Sequence, residues 1–417
     1  LVKIDHCSTK CYILWSEVFM YIDRLQSFPK NTSSIWFGPR QSGKSTLIRK
    51  ALVNESFYEI DLLKSENFRR YLSSPEQLRK DIEFQILKKN IKYIFIDEIQ
   101  KIPELTNEVH FLIEKYKTKK VHFILSGSSA RKLKRGHANL LGGRALLKKL
   151  FPLHSLELKD SFDLSTALQL GTLAGIYFED PKIKVEKLYS YLDLYLKEEI
   201  AQEGLVRNLD LFNRFFDIVA LYCAEIINYT NISRECGVSV KTVQNYFSIL
   251  NETLLSFELP AWDKSLKRQL SKHPKFYMCD NGITNAILKN LKDELHPEVR
   301  GKMFEQWLIN EIRNLSIYTQ SDHDFHFWRT ERGEYEVDLI LSKKSKAQFA
   351  IEIKAKKKIT KKDLASLLEF QKENFKAKLI CLYEGEHAYN EGDILILPYD
   401  QIWDELSFFP KTKSGKQ

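Results

Sequence analysis

A chain of 417 residues is too long for one ordinary hydrophobic core, and its length predicts two or three domains. Apolar residues make up 43% and charged residues 29%, as in soluble globular proteins, and no apolar run approaches the roughly 18 residues that span a bilayer. We therefore expect a cytoplasmic protein without a membrane partner. The net charge of +9 is compatible with a polyanionic partner such as nucleic acid, and equally with a Lys-rich solvated surface.

The cysteines are not spaced as a metal site. The sequence has no C-x-x-C pair, and only two of its cysteines lie close together, so a zinc site is not expected. Free thiols are typical of a reduced compartment. The six thiols are those of Cys7, Cys11, Cys223, Cys236, Cys279 and Cys381.

Residues 34–151 alternate short apolar runs with polar helical stretches, which is the pattern of βαβ units. The apolar runs lack strict alternation, as expected for a parallel sheet that is buried on both faces. The pattern ends at Phe151-Pro152-Leu153, a plausible domain edge. We predict an α/β domain whose strands are Ser34–Phe37, Phe57–Asp61, Tyr93–Asp97, Val121–Leu125 and Ala145–Phe151.

A phosphate-binding loop follows the first predicted strand. Gly38-Pro-Arg-Gln-Ser-Gly-Lys-Ser45 fits the pattern G-x-x-x-x-G-K-[ST] without a gap. Its glycines let the backbone N–H groups face phosphate oxygens, and the following helix directs its positive end to the same place. Lys44 is expected to reach the β- and γ-phosphates of ATP, and Ser45 to bind Mg²⁺. The predicted nucleotide-binding residues are Gly38, Pro39, Arg40, Gln41, Ser42, Gly43, Lys44, Ser45 and Thr46.

An acidic pair follows the third predicted strand. Asp97 stands at the strand's end, where Mg²⁺ needs a carboxylate, and Glu98 beside it can orient or deprotonate the attacking water. Alone, such a pair is more simply a solvated strand end. With the phosphate loop upstream, we predict Mg²⁺-dependent ATP hydrolysis with Glu98 as the catalytic carboxylate.

Two further residues are candidates for contacts with phosphate. Ser126 closes the fourth predicted strand, where a hydroxyl can sense the γ-phosphate, and Arg144 opens the fifth. Arg144 is predicted to reach a phosphate in its own or a neighbouring subunit. Taken singly these signals are weak, because Ser-Gly runs are usually turns and a lone Arg is usually a surface residue.

After a mainly helical stretch at about residues 155–220, the sequence predicts a helix-turn-helix. A helix at Asn231–Cys236 stops at Gly237, Ser239 caps the next helix, and Val240–Leu255 carries an apolar stripe. The residues offered to DNA by the second helix are Lys241, Gln244 and Asn245. One lysine is little for a DNA reader, so packing on the ATPase core or action as a lid is an equal alternative.

The C-terminal part reads as an α+β domain with a candidate nuclease site. Asp338 and Glu352 lie on two predicted strands, Lys354 projects to the same sheet face as Glu352, and Glu305 lies on a preceding helix. A shared Mg²⁺ at these residues would activate water, as in D…ExK nucleases. The alternative is a surface ion-pair cluster that contributes little. We expect strands at Phe325–Arg329, Glu336–Leu341 and Phe349–Ile353.

Longer strings of the sequence occur in a fixed order. They begin with GPRQSGKSTLIRKAL, FIDEIQKIPELTNEVH, FILSGSSARKLKRGHANLLGGRAL and LFPLHSLEL, and end with FEQWLINEI, FWRT, EYEVDLIL and AIEIKAK. Between them lie LKEEIAQEGLVRNLDLFNRFF, NISRECGVSVKTVQNYFSILNETLLSFELPAW and KFYMCDNGITNAIL. Over nearly its whole length the chain resembles the prokaryotic AAA-superfamily ATPases that carry a C-terminal domain of unknown function.

The resemblance implies an AAA-type P-loop core, a winged-helix segment and a terminal restriction-endonuclease-like fold. It also implies that the Ser126 region is a sensor and Arg144 an arginine-finger candidate, so we expect a homo-oligomer. The expected divisions are an ATPase domain at residues 1–155, a helical connection at 156–220, a winged-helix segment at 221–295 and a nuclease-like domain at 296–417.

Two functions are compatible with these features. The first is an ATP-hydrolysing enzyme whose appended domains bind, and in one version cut, nucleic acid. The second is a nucleotide-gated regulatory switch that binds proteins and carries an inert nuclease-like domain. The first function is favoured by the presence of all four candidate nuclease residues, Glu305, Asp338, Glu352 and Lys354. The second function is favoured by the low number of basic residues in the helix-turn-helix.

Overall fold

The described part of the chain contains three β-sheets, each formed by one stretch of the sequence. The computed structural model describes residues 21–129, 131, 141–196, 208–263, 265 and 272–406. Cys7 and Cys11 lie outside these residues, whereas Cys223, Cys236, Cys279 and Cys381 are buried free thiols, as predicted.

The first sheet has five parallel strands in the order β2-β3-β4-β1-β5. Its central strands are buried on both faces, because Ile94 and Ile96 belong to one apolar cluster and Tyr93 and Phe95 to another. The five predicted strands and their parallel arrangement are confirmed. The strands are β1 (Ser34–Phe37), β2 (Phe57–Asp61), β3 (Tyr93–Asp97), β4 (His122–Gly127) and β5 (Leu146–Lys149). The helices between them are α1 (Lys44–Leu52), α2 (Ser65–Ser73), α3 (Glu76–Lys89) and α4 (Leu105–Lys115).

Helices follow this sheet, as expected. They are α5 (Ser155–Leu158), α6 (Leu164–Leu170), α7 (Pro181–Ser190), which continues as a π-helical turn at Tyr191–Leu196, and α8 (Leu209–Val219). The apolar face of α8 packs through Phe212 and Phe215 on the helix-turn-helix that comes next.

The helix-turn-helix is present at α9 (Tyr229–Cys236) and α10 (Val240–Glu252). Gly237 ends α9 with φ +70°, and the Ser239 hydroxyl accepts the Thr242 N–H at 3.1 Å to cap α10, as predicted. The predicted continuation of the second helix to Leu255 is wrong, because Leu254 adopts φ +59° and turns the chain into a strand. Strands β6 (Glu225–Ile226), β7 (Ser256–Leu259) and β8 (Lys275–Met278) form an antiparallel sheet in the order β6-β8-β7, followed by α11 (Asn281–Ile287).

The third sheet is mixed, with six strands in the order β13-β14-β12-β11-β10-β9. The three predicted strands are present, and three more follow them. One face of the sheet packs on the long helix α12 and the other on α13. The elements are α12 (Pro297–Tyr318), β9 (Asp324–Arg329), β10 (Glu336–Lys343), β11 (Lys346–Lys354), α13 (Ala365–Glu373), β12 (Lys378–Tyr383), β13 (Tyr389–Glu391), β14 (Ile394–Pro398) and α14 (Ile402–Glu405).

The second and third sheets are joined through backbone hydrogen bonds. Phe327 on β9 donates its N–H to the Pro260 carbonyl oxygen at 3.0 Å, just beyond β7. This connection brings β8 close to α12 and β10. None of the helices that the structure describes has the length and apolar character needed to cross a bilayer.

Candidate functional site

The phosphate loop lies between the carboxyl end of β1 and the first turn of α1. A Cβ atom at Gly38 would stand 2.0 Å from the Leu150 carbonyl oxygen, and Gly43 has φ +88°, so both positions require glycine. The Lys44 ammonium is buried and donates to the carbonyl oxygens of Gly38 and Pro39, both at 2.8 Å. The lysine is thus held along its own loop, next to the N–H groups at the start of α1.

Three of the predicted site residues meet at the carboxyl edge of the first sheet. The Ser45 hydroxyl donates to Asp97 Oδ2 at 2.7 Å, and the Ser126 hydroxyl donates to Asp97 Oδ1. These contacts arise because β1, β4 and β3 are consecutive parallel strands whose ends reach the same edge. The structure therefore joins a loop hydroxyl, a buried carboxylate and a strand-end hydroxyl in one hydrogen-bonded group.

Glu98 has an unusual backbone conformation, and its carboxylate contacts a residue that the sequence analysis missed. It adopts φ +58°, which is uncommon for a side chain of this size. Its carboxylate accepts a hydrogen bond from Gln100 Nε2, and the same amide donates to Ser128 Oγ at 3.1 Å. Gln100 links the predicted catalytic carboxylate to the segment after β4. Its closeness to Glu98 in the sequence, two residues away, is the feature that could have predicted this contact.

Two arginines that were not predicted also lie at the site, one at the phosphate loop and one beside Asp97. Arg24 donates to the Ser42 carbonyl oxygen at 2.6 Å and forms a buried ion pair with Glu157 at 2.9 Å. The Arg49 guanidinium lies 3.6 Å from Asp97 Oδ2. The ion pair between Arg24 and Glu157 joins residues that are far apart in the sequence, so no local pattern predicts it.

The helical region contacts the phosphate loop directly. The Gly175 N–H donates to the Gln41 carbonyl oxygen at 3.0 Å, and a Cβ atom at Gly175 would stand 1.9 Å from Gln41 Oε1. The Tyr191 hydroxyl donates to the Arg40 carbonyl oxygen at 3.5 Å. The loop is therefore covered on one side by residues outside the first sheet.

Arg144 lies far from the phosphate loop of its own chain. It precedes β5, whose first residue, Leu146, pairs with Ser34 at the beginning of β1, whereas the loop follows the end of β1. Its half-exposed guanidinium forms an ion pair with Glu114. Of the two predicted roles for Arg144, contact with a phosphate in the same subunit is not compatible with this position.

Arg131 connects the segment after β4 to the second helix of the helix-turn-helix. Its buried guanidinium donates to Asn245 Oδ1 and Ser248 Oγ, each at 3.1 Å, and lies 3.1 Å from Glu252. Asn245, predicted to face DNA, is thus hydrogen-bonded to the segment that follows β4 of the first sheet, as in the packing alternative. Lys241 remains exposed, and Gln244 does too.

The four predicted nuclease residues are brought to one region of the third sheet. Asp338 on β10 lies opposite Glu352 on β11, and Asp338 Oδ2 accepts the Ile353 N–H at 2.8 Å. Lys354 forms an ion pair with Glu352. Glu305 on α12 completes the set together with Glu336, which the sequence analysis did not single out. We call the four carboxylates of Glu305, Glu336, Asp338 and Glu352 the acidic cluster.

A lysine from another sheet lies inside the acidic cluster. Lys275 on β8 is 3.0 Å from Glu305 Oε1, 2.6 Å from Glu336 Oε1 and 3.8 Å from Asp338 Oδ1. The Tyr277 hydroxyl, on the same face of β8, donates to Glu305 at 2.7 Å. Within the described residues, no group of three or more His, Cys, Asp or Glu side chains is arranged to hold a metal ion.

The electrostatics of this region follow from burial. Burial raises the pKa of Glu305 to about 7 and raises that of Glu352 well above its ordinary value. Burial alone would lower the pKa of Lys275, but the surrounding negative groups, Glu305 foremost, raise it well above its ordinary value. Lys275 is therefore a charged ammonium, and the cluster is organised around it.

Family models match three consecutive segments of the chain. Residues 30–159 match the AAA domain family, residues 175–294 match a domain of unknown function (DUF8612), and residues 300–402 match another (DUF4143). Two uncharacterized proteins, from Mycobacterium bovis and Mycobacterium tuberculosis, are each 24% identical over 368 residues, which is 88% of this chain and 79% of theirs. The solved structure of AMPPCP-bound DnaA from Aquifex aeolicus is 15% identical with a TM-score of 0.28, covering 53% of this chain and 82% of that one.

The family match falls on the segment that contains the five-stranded parallel sheet, the phosphate loop and the Asp97–Glu98 pair. Residues 30–159 therefore form an AAA domain, and residues 300–402 match a C-terminal domain of unknown function.

Proposed function

We propose that the AAA core binds ATP together with Mg²⁺ and hydrolyses it. The observation that carries this proposal is the hydrogen-bonded group of Ser45, Asp97 and Ser126 beside Lys44. A hydroxyl and a carboxylate 2.7 Å apart are hard oxygen donors of the kind that Mg²⁺ prefers, so Ser45 and Asp97 fit the ion. When bound, Mg²⁺ supplies positive charge against the phosphates.

The remaining residues have distinct roles in this proposal. Lys44 exchanges its two loop carbonyl partners for the β- and γ-phosphate oxygens, which offer full negative charge. Glu98 orients the attacking water and accepts its proton, and Ser126 senses the γ-phosphate. Gln100 is a positioning residue, because it holds the Glu98 carboxylate through one amide hydrogen bond.

We propose that Arg144 completes the site of a neighbouring subunit in a homo-oligomer. Its position at the edge of the sheet opposite the loop supports action in trans, because in a head-to-tail ring the exposed edge of one copy can face the loop of the next. An arginine supplied in this way stabilises negative charge late in phosphoryl transfer.

Residues at and after the end of β4 contact both the candidate nucleotide site and α10. Ser126 donates a hydrogen bond to Asp97. Arg131, five residues later in the sequence, donates hydrogen bonds to two residues of α10. We propose that a change at the γ-phosphate shifts this segment and therefore α10. This route supports a nucleotide-gated switch, whichever macromolecule the switch controls.

We propose nucleic acid as the partner of the appended segments, with residues 221–295 as a winged helix and residues 296–417 as a restriction-endonuclease-like domain. The supporting observation is an exposed basic run that begins within two residues of Lys354, the last residue of β11 and the ion-pair partner of Glu352 in the acidic cluster. Such a run suits a phosphate backbone. Its exposed members are Lys356, Lys357, Lys358, Lys361 and Lys362.

A salt series tests this proposal. Gel-shift titrations with single- and double-stranded DNA and RNA, with and without ATP, should give binding whose affinity falls as salt rises. Replacing Lys357 and Lys358 together should weaken binding and reduce the salt slope by about 2, because two phosphate contacts are lost. Replacement of Lys88 and Lys89, exposed at the end of α3, is the matched control and should change neither value.

Cleavage of nucleic acid at Glu305, Asp338, Glu352 and Lys354 stays a prediction. It requires Mg²⁺ or Mn²⁺ among the carboxylates, and Glu352→Ala should abolish it while ATP hydrolysis persists. The position of Lys275 supports the second candidate function instead, a nucleotide-gated switch whose nuclease-like domain is inert. Incubation of the full chain with ATP, divalent metal and nucleic acid separates the two.

Lys44→Ala tests nucleotide binding most simply. The variant loses the ammonium at the phosphate loop, so the affinity for a fluorescent ATP analogue should fall by more than about tenfold. Lys50→Ala, at the other end of the same helix α1 and exposed, is the matched control and should bind like the parent. Equal binding by the parent and Lys44→Ala would contradict the assignment.

A further inference from the structure

Lys275 reaches the acidic cluster because of the alternation of strand β8. Side chains on a strand point alternately to its two faces, so Lys275 and Tyr277 share one face while Phe276 and Met278 share the other. Phe276 and Met278 pack in the apolar cluster around the helix-turn-helix. The opposite face meets α12, where Lys275 and Tyr277 both donate to Glu305.

The ammonium is enclosed rather than placed on a surface. Lys275 is 3% exposed, and its carboxylate partners come from α12 and from β10. A buried charge is tolerated only when it is paired and hydrogen-bonded, and this ammonium meets that requirement. Its enclosure means that solvent cannot replace it in the cluster without movement of β8.

The oxygens held by Lys275 are those that a metal would need. A divalent cation takes several carboxylate oxygens at about 2.0–2.6 Å, and the Lys275 ammonium lies against oxygens of Glu305, Glu336 and Asp338. A second cation beside the ammonium would meet strong like-charge repulsion in a poorly solvated region. Glu352 Oε2 is buried with no hydrogen-bond partner, so one acceptor at the edge of the cluster remains available.

We propose that Lys275 is a tethered cation that occupies the metal position of the acidic cluster, so that this cluster binds a divalent ion only when the lysine is removed or withdrawn. Strand β8 is paired with β6 on one side and β7 on the other, and this pairing fixes the position of Lys275. In this arrangement the ion pairs between Lys275 on β8 and the carboxylates on α12 and β10 hold the second and third sheets together. The inference is independent of ATP hydrolysis by the AAA core.

Manganese binding to the full-length, nucleotide-free protein tests the proposal. Free Mn²⁺ is measured by electron paramagnetic resonance in titrations of the parent and of Lys275→Met, which keeps the chain length and removes the charge. The variant should gain one site that binds Mn²⁺ at least tenfold more tightly than any site in the parent. Adding Asp338→Asn to the variant should remove that site. Lys272→Met, three residues upstream and partly exposed, is the matched control and should behave like the parent.

A second readout separates metal binding from misfolding. Lys275→Met leaves buried carboxylates uncompensated, so its melting temperature should fall and should recover on addition of Mn²⁺, whereas the melting temperature of the parent should not respond. If Lys275→Met does not fold, the double variant Lys275→Met/Glu336→Gln removes one negative and one positive charge together and is used in its place.

Three outcomes would overturn the proposal. One is a folded Lys275→Met protein, or folded double variant, that binds Mn²⁺ no better than the parent. Another is a parent protein that already binds Mn²⁺ tightly and loses it in Asp338→Asn. The third is failure of the charge-balanced double variant to fold, because the lysine would then be needed for a reason other than charge. None of these results bears on the ATP site, so they leave the proposed hydrolysis untouched.

Discussion

The contact between Arg131 and α10 gives a prediction whose size follows from the structure. Arg131→Met should destabilise the junction between the AAA core and the helix-turn-helix, because three contacts of 3.1 Å are lost together. Methionine keeps the apolar stem of the side chain, so the change isolates the charged head. A hydrogen bond to a charged group contributes about 1.5–3 kcal/mol. The side chain of Glu252 is 38% exposed and regains water, which reduces the total.

We therefore expect Arg131→Met to lower the free energy of unfolding by about 2 kcal/mol. Urea unfolding of the full chain, followed by tryptophan fluorescence, measures the change. A double-mutant cycle with Glu252→Gln should give a coupling energy of about 0.5–1.5 kcal/mol, since the two side chains are direct partners. Lys241→Met, on the exposed face of the same helix, is the control and should stay within about 0.5 kcal/mol of the parent.

A loss below about 0.5 kcal/mol in Arg131→Met, or a cycle without coupling, would refute this reasoning. The contact would then be too well solvated to hold the two segments together, and the proposed route from the γ-phosphate to α10 would lose its physical basis.

Three other predictions concern the nucleotide site and its surroundings. Mixing Arg144→Ala with Glu98→Gln protein should restore part of the ATPase activity that each lacks alone, whereas a strictly monomeric, fully active enzyme would exclude action in trans. Gly38→Ala places a methyl group 2.0 Å from a carbonyl oxygen and should lower ATP affinity more than tenfold, while Gly301→Ala, in open space on α12, should not. Burial raises the pKa of Glu311 to about 8, so the native state binds more protons than the unfolded state between about pH 4.5 and 8. Stability from this group is present below that window and is lost as pH rises through it, by up to about 1.4 kcal/mol per pH unit, and Glu311→Gln should remove this slope in pH-dependent urea unfolding.

The local features of the AAA core were predictable because each depends on neighbouring residues. The strand Tyr93–Asp97 is an apolar run followed by a carboxylate, and the loop from Gly38 to Ser45 is a contiguous motif. Gly38 is also required because the Leu150 carbonyl oxygen approaches it closely. The motif predicts a glycine at this position even though the contact with Leu150 cannot be seen in the sequence.

The features that were missed depend on contacts between distant parts of the chain. Arg24 pairs with Glu157 across 133 positions, and Lys275 bonds Glu305 across 30. Periodicity tells which face of a strand a lysine occupies, but not what lies opposite that face. Asn245 shows the same limit, because its position at the start of a helix suggested a base contact, whereas the fold places Arg131 against it.

The central claim is that Glu98 activates water for ATP hydrolysis at the phosphate loop. The direct test measures phosphate release and ATP binding for the parent and Glu98→Gln, at equal protein concentration and with Mg²⁺. The amide cannot accept the proton of water, so turnover should fall by about 10²–10⁴-fold while ATP affinity stays within threefold of the parent. Hydrolysis by Glu98→Gln at the rate of the parent, or a parent without Mg²⁺-dependent phosphate release, would contradict the account.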